Sequence, residues 1–186
     1  IELKNYLTFK KTKGGNLLKY LTNVLEEEYS IPSVLEDNLS NVLLNEKSLL
    51  FFDGLDEIFN VSDKISIKND IENFHNLFPK IKSITTSRYD GYNEAKLDDE
   101  KFCELNILSF NEEQIKEYVS RWYSLEEENA EIRNSEISDF ISKMNNVDNE
   151  LLSNPLLLSL IVILYRNNLK IPDSKLEIYQ SCTNTL

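Results

Sequence analysis

The strongest constraint on the fold is a pair of short apolar runs separated by a segment with helical spacing. Residues 48–52 are apolar and aromatic, too few for a helix and bounded by polar residues, which favours a strand buried on both faces. Residues 81–87 contain a β-branched run that also predicts a buried strand. Between these runs, apolar side chains recur at helical intervals until Pro79. Strand, helix and strand in this order predict a parallel crossover unit, and therefore an α/β fold.

The segments on either side of this unit are predicted from the same kinds of pattern. Apolar residues have helical spacing in residues 17–25 and 35–43. Residues 1–7 and 104–108 are candidate strands. Candidate strands therefore occur only in the first part of the chain.

Several helix boundaries have recognisable signals. Ser33 and Glu36 have the spacing of a capping box. Asn111 is suited to cap a helix because its side-chain oxygen can accept a backbone N–H. Pro155 is placed to open another helix, and Pro172 to follow the end of that helix.

The patterns also indicate how the chain is divided. Only helical patterns occur after about residue 110, which places a domain boundary near residue 109. We predict a partial α/β core in residues 1–109 and an α-helical subdomain in residues 110–170. Residues 171–186 would begin a further module.

Composition and charge exclude several classes of function. With 32 acidic residues against 20 lysines and arginines, the net charge of −12 argues against a general nucleic-acid binder. The most apolar run, residues 156–165, is about half the roughly 20 residues needed to cross a bilayer. Two cysteines and one histidine cannot supply the ligands of a structural zinc site. We therefore expect a cytoplasmic protein that binds neither membranes nor nucleic acid.

The clearest chemical signal is the sequence Asp53-Gly54-Leu55-Asp56-Glu57, directly after the first predicted strand. Open α/β folds bind ligands at the carboxyl edge of the sheet. Asp53 can ligate Mg²⁺ there, because this ion prefers a few hard oxygen ligands together with phosphate oxygens. An acid one turn further, Asp56 or Glu57, can orient or deprotonate an attacking water. The alternative is a strand that ends in a polar turn without any ligand.

The second predicted strand ends in hydroxyl side chains and Arg88. Since the tips of parallel strands lie on one edge, Arg88 can reach a phosphate that Asp53 approaches through a metal. Its charge would oppose the charge that develops on a transferred phosphoryl group. The alternative is an ion pair with Asp90 or Asp53. A calcium loop is disfavoured because its alternate-residue acids are missing, and a two-metal nuclease because the second strand carries no further acids.

These motifs together resemble one family. Residues 49–58 resemble the extended Walker B motif of the NACHT class of STAND P-loop ATPases, a hydrophobic strand followed by Asp-Gly-Leu-Asp-Glu. Residues 84–88 are similar to the sensor 1 strand of this family, which ends in Arg. Weaker similarities are found for the strand after the P-loop helix in residues 1–6, the link into the helical domain in residues 105–122, the Pro-Leu-Leu motif in residues 154–158 and the entrance to the winged helix in residues 171–179.

The resemblance implies a fold and a set of roles. The fold would be a parallel-sheet P-loop NTPase core followed by an α-helical subdomain. Asp53 would ligate Mg²⁺, Asp56 and Glu57 would position or activate water, and Arg88 would sense the γ-phosphate of ATP. Pro155 would contact the adenine, although a proline at the first position of a helix also serves helix initiation alone.

One motif of the family is absent from the sequence. No Gly-x-x-x-x-Gly-Lys-Ser/Thr occurs in the 186 residues, so the P-loop that would cradle the phosphates is missing. We expect this loop and the first strand to precede Ile1 in the complete protein, and the 186 residues alone to be inactive.

The resemblance also implies a function for the complete protein. It would be a switch that binds ATP or ADP and controls self-oligomerisation, as in innate immunity or antiphage defence. One alternative is a non-catalytic ATPase-like scaffold without a P-loop. A further alternative is an acid-site phosphatase or nuclease.

Overall fold

The computed structural model describes residues 1–31, 34–145, 147–168, 170–171 and 174–185, which belong to two compact units, Ile1–Glu104 and Leu105–Leu186. The first unit contains α1 (Leu3–Thr12), α2 (Leu17–Glu27), α3 (Glu36–Asn45), β1 (Ser48–Phe52), α4 (Val61–Leu77) and β2 (Ile81–Thr85), with 3-10 helices at Leu55–Glu57 and Tyr92–Ala95. The second unit contains α5 (Glu112–Glu126), α6 (Ala130–Met144), α7 (Asn149–Leu152), α8 (Pro155–Asn168) and α9 (Lys175–Thr185).

The predicted crossover unit is confirmed. Strands β1 and β2 are parallel and in register from Ser48 opposite Ile81 to Phe52 opposite Thr85, and α4 connects them. Within the described part of the chain, helices cover only one face of this sheet, so the prediction of strands buried on both faces is wrong. Leu49 and Phe51 are each 54% exposed, whereas Phe52 is buried in the core of the first unit.

Residues 1–7 are not a strand, contrary to the sequence prediction. Helix α1 begins at Leu3, because Leu3, Tyr6 and Phe9 recur every three residues and are all buried against the core. Only the first two residues are extended and lie beside the end of β1. There the Asp53 N–H donates to the Ile1 carbonyl at 2.9 Å, and the Leu3 N–H donates to the Asp53 carbonyl at 3.0 Å.

The second candidate strand, residues 104–108, is also absent from the described structure. Leu105, Ile107 and Leu108 are each at least 82% exposed and belong to no regular element. A strand requires a neighbour that accepts and donates its backbone hydrogen bonds. Among the described residues, the sheet contains only β1 and β2, with the isolated bridge at Glu2.

The second unit is helical, as predicted for this part of the chain. Its core includes Ile115, Val119, Phe140, Leu158 and Ile161, which are buried where α5, α6 and α8 pack together. No helix among the described residues combines the length and the apolar character of a membrane span.

The structure tests some of the predicted helix-boundary signals. Asn111 caps α5 through a complete capping box with Gln114, as its position suggested. Ser33 and Pro172 lie outside the described residues, so their predicted roles at helix boundaries stay predictions. Residues of the expected winged-helix module form α9.

Candidate functional site

The acidic segment after β1 folds into a tight turn that fixes where its carboxylates point. Gly54 has φ 78° and ψ 49°, a left-handed conformation that glycine adopts without a steric penalty. In the 3-10 helix that follows, residues three apart lie on the same face. Leu55 and Ile58 are both buried, so this face is turned to the core. Glu57 therefore lies on the exposed side of the turn.

The Asp53 side chain lies exposed at the tip of β1. Its Oδ1 accepts a hydrogen bond from the Thr86 hydroxyl at 2.5 Å. Its Oδ2 makes no hydrogen bond within the described part of the chain, which leaves one carboxylate oxygen for a cation. No group of three or more acidic, histidine or cysteine side chains is placed to hold a metal among the described residues. A single carboxylate such as Asp53 nevertheless fits Mg²⁺, because proteins hold this ion through one or two carboxylates together with substrate phosphates.

Arg88 is bound by an acid that the sequence alternatives did not include. The Asp56 Oδ1 accepts the Arg88 backbone N–H at 3.0 Å, and its Oδ2 lies 3.5 Å from the Arg88 Nε. The Asp56 side chain is 16% exposed and that of Arg88 is 87% exposed. Both oxygens of Asp56 are thus directed at Arg88, while the guanidinium group remains accessible to solvent.

Glu57 differs from Asp56 because its carboxylate has no partner. The carboxylate makes no hydrogen bond or ion pair with any other described residue, and the side chain is exposed. Its side chain lies over Gly54, since a Cβ added at Gly54 would be 3.2 Å from the Glu57 Cδ. Of the two adjacent acids, Glu57 is the one that is free to contact water or a ligand.

The loop that follows Arg88 is anchored by Lys64 of α4. This role of Lys64 was not predicted from the sequence. Lys64 is only 3% exposed, and its Nζ donates to the Gly91 carbonyl at 3.1 Å and to the Glu94 carboxylate at 2.7 Å. The sequence pattern could have indicated that Lys64 is buried, because Lys64 shares a helical face with Ile67 and Ile71. A lysine at a buried position of an amphipathic helix requires a partner, and here the partner is the loop after β2.

Pro155 lies in the second unit. It is the first residue of α8 and is exposed. The side-chain oxygen of Asn154 accepts the N–H groups of Leu156 and Leu157 at 3.0 and 3.2 Å. Asn154 and Pro155 therefore start the helix, and an adenine contact at Pro155 stays a prediction.

The acidic edge is separate from the cavity of the first unit. A cavity of about 210 Å³ in the first unit is lined by residues of α2 and α4 and their flanks, including Leu17 and Phe74. None of the candidate site residues lines it. The four candidate residues of the first unit lie at the carboxyl edge of the sheet. Asp53, Glu57 and Arg88 are exposed there, whereas the Asp56 side chain is largely covered.

A family model described as the NACHT domain matches residues 6–126, a range that includes the acidic turn and Arg88 but not Pro155. No curated protein and no solved structure gives a significant match.

Proposed function

The chain belongs to the NACHT family of P-loop NTPases, and from this premise we propose that the carboxyl edge of its sheet serves ATP hydrolysis in a signalling switch. The observation that carries the proposal is the arrangement at this edge. Two adjacent parallel strands are followed by three groups: a carboxylate with one oxygen that has no described partner, a second acid with no described partner, and an exposed guanidinium group. Phosphoryl transfer requires these three kinds of group, because its catalysis is mostly positioning and charge stabilisation.

The structure favours different roles for the acids. Asp53 would supply a ligand to Mg²⁺, which neutralises charge on the phosphate oxygens when it is bound. Glu57 would accept a hydrogen bond or proton from the attacking water, since its carboxylate has no other partner among the described residues. Asp56 would hold Arg88, because both of its oxygens are already directed at that residue.

Arg88 would act on the phosphate itself. Its guanidinium group is exposed although its backbone and Nε are held by Asp56. It has further N–H donors that can face a ligand, and its charge would oppose the charge that grows on the γ-phosphoryl oxygens. Pro155 would contact the adenine, a role that rests on the family motif alone.

The wider role is proposed from family membership. ATP and ADP would be the ligands, and exchange or hydrolysis would control self-oligomerisation of the complete protein, with immune or antiphage defence as the process it serves. A cytoplasmic location is proposed as well, because the two cysteines, Cys103 and Cys182, are both free thiols.

The test compares two variants of the complete natural protein. Asp53→Asn removes a metal ligand, so we expect it to weaken Mg²⁺-dependent ATP binding and to slow turnover. Glu57→Gln keeps the shape of the side chain but cannot accept a proton, so we expect turnover to fall about 100-fold or more with nearly unchanged binding. Binding is measured with a fluorescent ATP analogue, and turnover as phosphate release.

Glu46→Gln is the matched control. Glu46 is an exposed glutamate that precedes β1 at the opposite end of the strand, so the same chemical change there should leave both quantities unchanged. If Glu57→Gln and Glu46→Gln have equal turnover, Glu57 does not act on water. Equal losses of affinity in the Asp53 and Glu57 variants would contradict the division of roles.

A non-catalytic scaffold is the second candidate. It is favoured by one observation, the absence of a Gly-x-x-x-x-Gly-Lys-Ser/Thr motif from the 186 residues. A complete protein that binds no ATP analogue with or without Mg²⁺, yet forms stable assemblies, would support the scaffold and exclude the switch.

A further inference from the structure

The side chain of Thr86 connects the two strand tips. Its hydroxyl oxygen accepts the Gly54 N–H at 3.0 Å and lies 2.5 Å from the Asp53 Oδ1. The backbone of Thr86 also joins the turn, because its N–H donates to the Phe52 carbonyl at 2.8 Å and its carbonyl accepts the Leu55 N–H at 3.0 Å. Thr86, which directly follows β2, thus forms hydrogen bonds with four consecutive residues, 52–55, at and just beyond the end of β1.

The proton of the Thr86 hydroxyl has one destination in this arrangement. An amide N–H can only donate, so the hydroxyl is the acceptor of its bond with Gly54. An ionised carboxylate can only accept, so the hydroxyl must donate its proton to Asp53. The two bonds together fix the hydroxyl and one oxygen of the carboxylate, and the second oxygen, Oδ2, remains without a partner in the described chain.

We propose that Thr86 is a positioning residue that orients the Asp53 carboxylate for Mg²⁺. The proposal rests on the proposed function, in which Asp53 ligates the metal. Thr86 does not contact the metal itself; it restricts the rotation of Asp53 about its terminal bond and thereby directs Oδ2 outward. Groups that orient a metal ligand in this way typically contribute about 10- to 100-fold to metal affinity.

The backbone and side chain of Thr86 can be tested separately. Valine has the same branched shape as threonine, so Thr86→Val keeps both backbone hydrogen bonds and removes only the hydroxyl. Thr86→Ser restores the hydroxyl without the methyl group, and Thr86→Ala removes both. The adjacent Thr85 supplies a matched control, because its hydroxyl is buried and has no hydrogen-bond partner in the described structure.

The experiment titrates Mg²⁺ into the complete protein with a fluorescent ADP analogue and measures the metal concentration at half-saturation. We expect this concentration to rise about tenfold in Thr86→Val, to return to within about twofold of wild type in Thr86→Ser, and to be unchanged in Thr85→Val. Nucleotide affinity in excess EDTA should be equal in all four proteins. Urea unfolding of each variant checks the fold, and Thr86→Ala replaces Thr86→Val if the latter is unstable.

The outcomes separate this proposal from the proposed function. If wild type responds to Mg²⁺ and Thr86→Val matches Thr85→Val, the positioning role is wrong and the metal site stands. Failure of Thr86→Ser to recover the affinity would also overturn the role of the hydroxyl. If the wild-type protein shows no Mg²⁺-dependent step at all, both proposals are wrong.

Discussion

Replacing Gly54 by alanine should affect stability and turnover in different ways. The left-handed conformation at φ 78° costs alanine about 1–2 kcal/mol, and the stiffer unfolded chain returns about 0.4–1 kcal/mol. The net loss in the free energy of unfolding should be about 1 kcal/mol. The new methyl group would also lie 3.2 Å from the Glu57 Cδ, closer than the 3.4–4 Å of ordinary contact. The exposed glutamate can move by a few tenths of an ångström at little cost.

Gly14 provides a control with a similar positive φ and no steric contact. It has φ +66°, and a Cβ added there would meet no atom within 4 Å. Gly14→Ala should therefore also lose about 1 kcal/mol. Urea unfolding of the two variants should give nearly equal losses, because the displaced Glu57 side chain is flexible.

Turnover should distinguish the two variants. A catalytic group displaced by 1 Å can cost about 100-fold in rate, so a shift of a few tenths of an ångström should slow phosphate release in Gly54→Ala by about three- to tenfold. Gly14→Ala should retain the wild-type rate. Equal rates in the two variants would refute the argument that Gly54 leaves room for Glu57, and an undiminished stability of Gly54→Ala would show that the turn tolerates a side chain.

Two further predictions concern buried side chains. Lys64→Met should remove the hydrogen bonds to Gly91 and Glu94, so the loop after β2 should lose protection in hydrogen-exchange measurements. Helix α5 of the second unit should keep its protection. Unchanged exchange at residues 91–95 would contradict this anchoring role. Burial raises the pKa of Tyr123 to about 12, above the ordinary value of 10, so the unfolded chain loses this proton first. The free energy of unfolding should therefore fall as the pH rises from about 10 to about 12, and Tyr123→Phe should make this fall shallower; identical pH dependence in both proteins would show that Tyr123 does not contribute.

The two strands could be predicted because their signals are local. Residues 48–52 carry an uninterrupted apolar run with polar boundaries, and the structure has β1 at those residues. Residues 1–7 were misassigned because the helical spacing of Leu3 and Tyr6 becomes clear only when Phe9 is included. The segment 104–108 has the composition of a strand, but strand formation also depends on a partner. That requirement cannot be judged from the segment itself.

The site could be predicted to the level of the sheet edge but not to individual contacts. Parallel strands bring Asp53 and Arg88 to one edge, and this part follows from the crossover topology. Asp56 is the partner of Arg88 because of the left-handed turn at Gly54, and the pattern of apolar residues does not predict that conformation. Thr86 was missed as well, because its hydrogen bonds to Asp53 and Gly54 depend both on the pairing of the two strands and on the turn at Gly54.

The contact between Asp56 and Arg88 joins the segment after β2 to the acid-bearing turn, and it links the two thermodynamically. Asp56 and Glu57 are consecutive residues of one 3-10 helix, so an anion that competes with Asp56 for the guanidinium group also changes the constraint on Glu57. By reciprocity, whatever immobilises the acidic turn must alter the affinity of Arg88 for that anion by the same factor. Binding of a phosphate at Arg88 and the position of Glu57 would then depend on one and the same equilibrium.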